Sequence, residues 1–229
     1  MKNTKNGARW LSSLLLWLPL VSGAASAPTA AESADGLKAA LNQAATVAIT
    51  TLGKTDGFMA NPEVRIPLPG KLEKAAKKLR KLGMGKQTDA LQLAMNRAAE
   101  TAVPEARTLF VEAIQKMTVD DALAIVRGPQ DAATQYFKGA MSDKLTERFL
   151  PIVGKATANV DLARQYNEVA GRASALGLVD QRDASLDGYV TRKALDGLFL
   201  TMAREEAAIR KNPLGQASAL LRKVFGALR

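Results

Sequence analysis

The sequence lacks cysteine and histidine entirely, although the chain has 229 residues. The absence of cysteine excludes disulfides, thiolate zinc sites, cysteine nucleophiles and a lipid-modified N-terminal cysteine. The absence of histidine removes imidazole metal ligands and the commonest general base. Ser-His-Asp hydrolases, histidine-ligated zinc proteases and papain-like proteases are therefore excluded. Any chemistry would have to use carboxylate, lysine, arginine, tyrosine or hydroxyl groups.

Aromatic residues are also scarce, at 5% of the chain, whereas hydrophobic residues reach 47% and are mostly alanine and leucine. This composition is typical of closely packed helices, because alanine lets helix axes approach and both residues favour helix. We therefore predict an all-α fold without a sheet. It would be a single irregular bundle of about eight to nine helices around two central apolar helices, over residues 89–103 and 187–211.

The N-terminal segment has the three regions of a secretory signal peptide. Basic residues come first, an apolar run covers residues 10–21, and small residues follow. The apolar run is shorter than the ~20 residues that cross a bilayer. We therefore predict a cleavable signal peptide over residues 1–25, cut near Ala24–Ala27. The remainder, residues 28–229, would form a single helical domain with no transmembrane segment and no lipid anchor.

Positive charge is concentrated between residues 71 and 86, where seven basic residues accompany a single acidic residue, Glu73. On a helical wheel, the apolar residues of this segment share one stripe: Leu72, Ala75, Ala76, Leu79 and Leu82. The opposite face carries most of the lysines: Lys71, Lys74, Lys77, Lys78 and Lys81. The spacing predicts a basic amphipathic helix whose charged face lies in solvent.

This basic face has two interpretations. An array of lysines attracts phosphate-rich surfaces, so the partner would be anionic lipid or another envelope polyanion. Nucleic acid is not expected as a partner, because no aromatic residues lie between the lysines to stack on bases. The alternative is a solvated helix face without a partner. Contact with an anionic surface is our leading hypothesis. Under this hypothesis the protein is a binding protein rather than an enzyme. No sequence motif indicates a cofactor.

A second candidate site consists of polar residues on the two central helices: Asn96, Arg97 and Glu100 on the first, and Glu205, Glu206 and Arg210 on the second. If the helices pack together, these residues would form one buried polar cluster. Such a cluster would bind a small polar ligand or a hard cation, or act as a carboxylate-based hydrolase or lyase. The other interpretation is a set of structural ion pairs. Neither spacing is a known metal-ligand signature.

Other signals concern loops and helix ends. The segment from Lys54 to Gly70 contains three prolines and is the longest predicted loop, which suggests a third hypothesis, an envelope assembly factor that makes its contacts there. Thr118 with Asp121 predicts a capping box. Single N-caps, each starting its own helix, are predicted at Asp131 and Ser142.

Several blocks of the sequence occur in the order found in a known family. They are residues 56–58 with 61–62 and 65–69, then 95–100, 131–137, 189–199, 205–213 and 220–226. With these blocks the chain resembles the exported bacterial proteins grouped as the domain of unknown function DUF4197, over essentially the whole mature chain. The resemblance implies one helical domain in a Gram-negative envelope and, with the signal peptide, a periplasmic location. It implies no activity, cofactor or catalytic residue.

Overall fold

The computed structural model describes residues 29–83, 85–175 and 184–212. About 80% of these residues are helical and none forms a strand, which confirms the all-α prediction. A short 3₁₀ turn, Val103–Glu105, connects the third and fourth α-helices. The α-helices are α1 (Ala30–Leu52), α2 (Gly70–Lys81), α3 (Lys86–Ala102), α4 (Ala106–Lys116), α5 (Val119–Arg127), α6 (Ala132–Thr157), α7 (Asp161–Ala175) and α8 (Leu186–Lys211).

Local sequence signals account for several helix ends. Helix α1 begins at a capping box formed by Thr29 and Glu32, and Gly53 is its C-cap. The predicted capping box of Thr118 and Asp121 is confirmed at the start of α5. Side-chain oxygens at such positions satisfy N–H groups that have no partner within the helix.

The helix start predicted at Ser142 is wrong, whereas the start predicted at Asp131 is right but lacks the side-chain cap. Ser142 lies inside α6, which runs unbroken through 26 residues, and its hydroxyl donates to the Lys138 carbonyl one turn earlier. Serine can form this bond in a helix interior, so its presence alone does not mark a boundary. Asp131 does precede α6, but its side chain makes no capping hydrogen bond and accepts instead from the Gln135 amide.

The buried hydrophobic residues of the eight described helices belong to one cluster. Helix α8 packs on α6, α1 and α3, and α3 also packs on α6. Helices α1 and α6 thus share the centre with the two helices predicted to lie there. The rings of Phe110 on α4 and Phe137 on α6 meet edge to face with centroids 5.4 Å apart, and both are buried.

Helical periodicity also predicts a helix that ends at Gly177 and a last helix that includes residues 220–225. These two predictions, and the signal peptide with its cleavage site, concern residues outside the described part of the structure.

Candidate functional site

The basic segment forms α2, a short helix with a glycine of unusual backbone conformation at or near each end. Gly70 and Gly83 flank it with positive φ angles of 46° and 75°, conformations that glycine adopts without a Cβ penalty. Ala76 is fully buried and Leu72 packs partly against the core. One side of α2 therefore faces the protein, as the apolar stripe predicts.

The other side of α2 carries four exposed lysines, here called the lysine face: Lys74, Lys77, Lys78 and Lys81. At 100° per residue these four positions cover an arc of about 100°, opposite buried Ala76. The side chain of the fifth predicted lysine, Lys71, lies outside the described part of the structure. The charges are thus aligned on one side of a single helix.

Few of these charges are neutralised by neighbours. Lys77 lies 3.7 Å from Glu73 one turn away. Arg80 is used internally, because it binds Asp89 at 2.5 Å and Gln92 at 3.2 Å and so fastens α2 to α3. Within the described residues, the remaining three lysines of the face, Lys74, Lys78 and Lys81, have no ion pair or hydrogen bond of their own.

Leu82 departs from the prediction that it lies on the buried stripe. Its side chain is 69% exposed, the largest exposed fraction among the large hydrophobic residues of the described structure. The reason is that α2 ends at Lys81, and Leu82 lies in the turn that Gly83 completes. The Leu82 N–H still bonds the Lys78 carbonyl at 3.3 Å, which places Leu82 beside Lys78 at the edge of the lysine face.

The polar residues of α3 hold the Pro-rich loop, and we call them the loop clamp: Asn96, Arg97 and Glu100. The Glu100 carboxylate accepts from the Phe58 and Met59 backbone N–H groups at 3.0 and 3.2 Å. Asn96 pairs with both backbone groups of Ile66, accepting at 2.9 Å and donating at 3.0 Å. The loop clamp therefore satisfies buried backbone groups that the loop itself leaves without partners.

Arg97 completes this clamp by joining two carboxylates. Its guanidinium donates to Glu100 at 2.6 Å and to Asp56 at 2.8 Å. The hydrogen bond to Glu100 is the main reason that the pKa of Arg97 is raised above its ordinary value. Asp56 has a positive φ of 66°, which is uncommon for a residue with a side chain, and the ion pair holds it in place.

The Pro-rich loop contributes to the core as well as to the surface. Phe58, Ile66 and Leu68 are all at most 2% exposed, so these side chains anchor the loop in the core. The Tyr189 hydroxyl on α8 donates to the Pro67 carbonyl at 3.1 Å. Only the outer side of the loop, which includes Pro62 and Pro67, is available to a partner.

The polar residues of α8 form a second clamp, here called the helix-end clamp: Glu206 and Arg210. Glu206 accepts from the Ala133 and Thr134 N–H groups at 3.1 and 3.0 Å, so it caps the N-terminus of α6. Arg210 donates to carbonyls in the last turn of α5 and pairs with Glu206 at 2.9 Å. An anion at a helix N-terminus and a cation at a helix C-terminus both oppose the local helix dipole.

The two clamps are separate and do not form the single cluster considered from the sequence. Gly197 of α8 lies against the Phe58 ring, whose backbone binds Glu100, whereas Glu206 is nine residues further along α8. That separation is about 13 Å along the helix axis. Glu205, the remaining candidate, is half-buried and has no hydrogen bond or ion pair among the described residues.

A small groove lies between α1 and α8 beside the helix-end clamp. Its lining residues are Leu37, Ala40, Leu41, Ala44, Glu206, Ile209 and Arg210. The carboxylate and guanidinium there already bind the backbone of α5 and α6, so the groove offers mainly apolar surface. In the described part of the chain, no three acidic side chains are grouped so that they could hold a metal ion.

Sequence reasoning could not find the partners of the clamps. Glu206 and the two N–H groups that donate to it are more than 70 residues apart in the chain, and a helical pattern carries no information about such contacts. The exposed position of Leu82 had a local signal, since Gly83 directly follows it and glycine commonly ends helices. The lysine face could be predicted from the helical period of the sequence alone.

Comparison with known proteins identifies a family and nothing more specific. No curated protein and no solved structure gives a significant match. A family model described as a protein of unknown function (DUF4197) matches residues 27–226 of the chain. The match covers the whole described structure, including α2 and both clamps, and the chain therefore belongs to the DUF4197 family.

Proposed function

We propose that this protein is a non-enzymatic binding protein of the periplasm that contacts anionic envelope surfaces through the lysine face of α2. The observation that carries the proposal is the alignment of Lys74, Lys78 and Lys81 on one exposed helix side without internal partners in the described structure. The periplasmic location rests on the signal peptide predicted over residues 1–25. Basic residues of a purely solvating face are more usually interspersed with acidic ones.

The expected strength follows from the number of free charges. A lysine near an anionic membrane contributes about 1 kcal/mol. The three unpaired lysines would then contribute about 3 kcal/mol, on the order of a hundredfold in affinity. Surface charges more than about 10 Å apart are screened at 0.1 M salt, so the attraction should weaken steeply as salt is added.

The loop clamp and the helix-end clamp do not favour the alternative hypotheses of ligand binding and catalysis. Glu100 and Glu206 already accept from two backbone N–H groups each. A ligand or cation would have to displace those bonds and leave buried donors without partners, at about 1–3 kcal/mol for each donor. These contacts suit residues that position loops and helix ends.

Co-sedimentation with vesicles tests the proposal. The protein is mixed with vesicles of phosphatidylcholine alone or of equal parts phosphatidylcholine and phosphatidylglycerol, from 50 to about 500 mM salt. We expect binding to the anionic vesicles only, and loss of that binding at high salt. Equal binding to both vesicle types, or binding that salt does not weaken, would contradict a role for the lysine face.

Two charge variants separate the lysine face from net charge. The lysine-face variant carries Lys74→Glu, Lys78→Glu and Lys81→Glu. The control variant carries Lys138→Glu, Lys144→Glu and Lys155→Glu, all at exposed positions on α6. Each variant exchanges three lysines for three glutamates, so the two have the same net charge. Circular dichroism and thermal melting establish that both are folded before vesicle binding is compared.

A further inference from the structure

We propose that the partner is the lipid bilayer itself, and that Leu82 enters its acyl boundary while the lysine face binds the headgroups. This inference rests on the proposed function and adds a specific partner, an anionic phospholipid membrane, in place of an unspecified polyanion. It depends on where Leu82 lies and on what surrounds it.

Leu82 directly follows the last residue of α2 and is exposed. Its side chain is 69% exposed, against 37–42% for the other exposed large hydrophobic residues of the described structure. The next residue, Gly83, has open space on its side-chain face, since a Cβ built there meets no atom within 4 Å. Nothing in the described structure covers this turn, so it can approach a flat surface.

Three exposed lysines lie near this leucine in the chain. Lys78 is one helical turn away on the same side, Lys81 is its chain neighbour, and Lys86 is exposed across the turn. Lysine stems are themselves apolar and can lie along an apolar boundary while their ammonium groups remain in water. Leu82 would therefore insert as one apolar group while the neighbouring lysines contact the headgroups, as in interfacial membrane-binding helices.

The exposed leucine distinguishes a bilayer from a soluble polyanion. A polyphosphate chain or a polysaccharide offers anionic groups but no apolar phase, so Leu82 would gain nothing from binding it. In a bilayer the side chain leaves water, and apolar transfer is favourable in proportion to the area buried. The lysines would attract either partner, whereas the exposed Leu82 side chain would strengthen binding only to a bilayer.

Site-directed spin labelling tests insertion directly. The chain contains no cysteine, so Leu82→Cys creates a single labelling site in the full 229-residue chain. A nitroxide is attached, and its collisions with oxygen, which concentrates in lipid, and with a water-soluble nickel complex are measured by electron paramagnetic resonance. Leu150→Cys, at a 42% exposed position on α6, is the matched control.

With phosphatidylcholine/phosphatidylglycerol vesicles we expect oxygen accessibility to rise and nickel accessibility to fall at position 82, with no change at position 150. The lysine-face substitutions should abolish the change. Vesicle binding without protection at position 82 would overturn the insertion while leaving the proposed function intact. Absence of vesicle binding combined with binding to polyphosphate would also overturn it, because the partner would then be a soluble polyanion. Absence of both would contradict the proposed function too.

Affinity provides a second readout that needs no label. Leu82→Ala shortens the inserted side chain on the surface, where folding is unaffected, and should weaken binding to anionic vesicles about three- to tenfold. Leu150→Ala should leave the affinity unchanged. Polyphosphate binding should be the same for Leu82→Ala and the unmodified protein. Equal vesicle affinities for the two alanine variants would overturn the insertion.

Discussion

At the scale of single residues, several charged side chains bind backbone groups of distant segments. The Glu206 carboxylate accepts from two N–H groups of α6 and from the Thr134 hydroxyl, and it also pairs with Arg210. Its side chain is 7% exposed. A buried carboxylate is favourable only when hydrogen bonds and an opposite charge replace its water, and Glu206 has both.

Replacing Glu206 should therefore be costly. Glu206→Gln removes the charge that Arg210 and the α6 N-terminus require, and we expect the free energy of unfolding to fall by about 2–4 kcal/mol. Urea unfolding followed by circular dichroism measures it. Glu205→Gln, at the neighbouring half-buried position, is the control and should change stability by less than about 0.5 kcal/mol. Similar losses in both variants would show that the helix-end clamp does not carry this energy.

The stability of the protein should depend on pH through the ionisation of Asp121. Hydrogen bonds from the Thr118 hydroxyl and N–H lower the pKa of Asp121 below its ordinary value of 3.8. Because the folded state favours the ionised form of Asp121, this carboxylate adds to the free energy of unfolding. The added stability is fully present above the ordinary pKa and is lost as the pH falls through the lowered pKa. Asp121→Asn should therefore be less stable than the unmodified protein at pH 7, with the difference shrinking below about pH 4.

Urea midpoints measured from pH 7 to pH 3 test this expectation. Asp120→Asn is the matched control, since Asp120 is exposed in the same helix turn and has no hydrogen bond within the described structure. Its difference from the unmodified protein should be small and nearly constant with pH. A constant difference for Asp121→Asn as well would argue against the cap as the source of acid sensitivity.

At the scale of helices, α5 and α6 show two ways to satisfy an N-terminus. Helix α5 uses its own Thr118, whereas α6 uses Glu206 from α8 while the adjacent Asp131 is not used as a cap. Thr118→Ala should then cost about 1 kcal/mol, a usual value for losing an N-cap. Asp131→Ala should cost less than about 0.5 kcal/mol. Thermal or urea unfolding of the two variants checks the difference, and a larger loss at Asp131 would contradict it.

The same two helices show how far sequence reasoning reaches. Helix periodicity predicted the bounds of α8 closely, and the capping box predicted the start of α5, because the information lies within a few residues. The unbroken α6 was predicted as two helices, since serine at position 142 is equally compatible with a cap and with a helix interior. The clamps could not be predicted, because they depend on how helices far apart in the chain pack together.

At the scale of the whole molecule, charge is distributed unevenly around one hydrophobic core. The residues of the loop clamp and the helix-end clamp bind other parts of the protein, whereas three lysines on α2 have no ion pair in the described structure. No helix in the described part of the chain is long and apolar enough to cross a bilayer. In our proposal, the lysine face and Leu82 contact a membrane from its surface.

The most direct test of this account is the ratio of two dissociation constants on phosphatidylcholine/phosphatidylglycerol vesicles at 50 mM salt. One is measured for the lysine-face variant and the other for the control variant with three changed lysines on α6. We expect the lysine-face variant to bind on the order of a hundredfold more weakly than the control. Equal constants would show that only net charge matters, and the lysine face would then serve to keep α2 solvated.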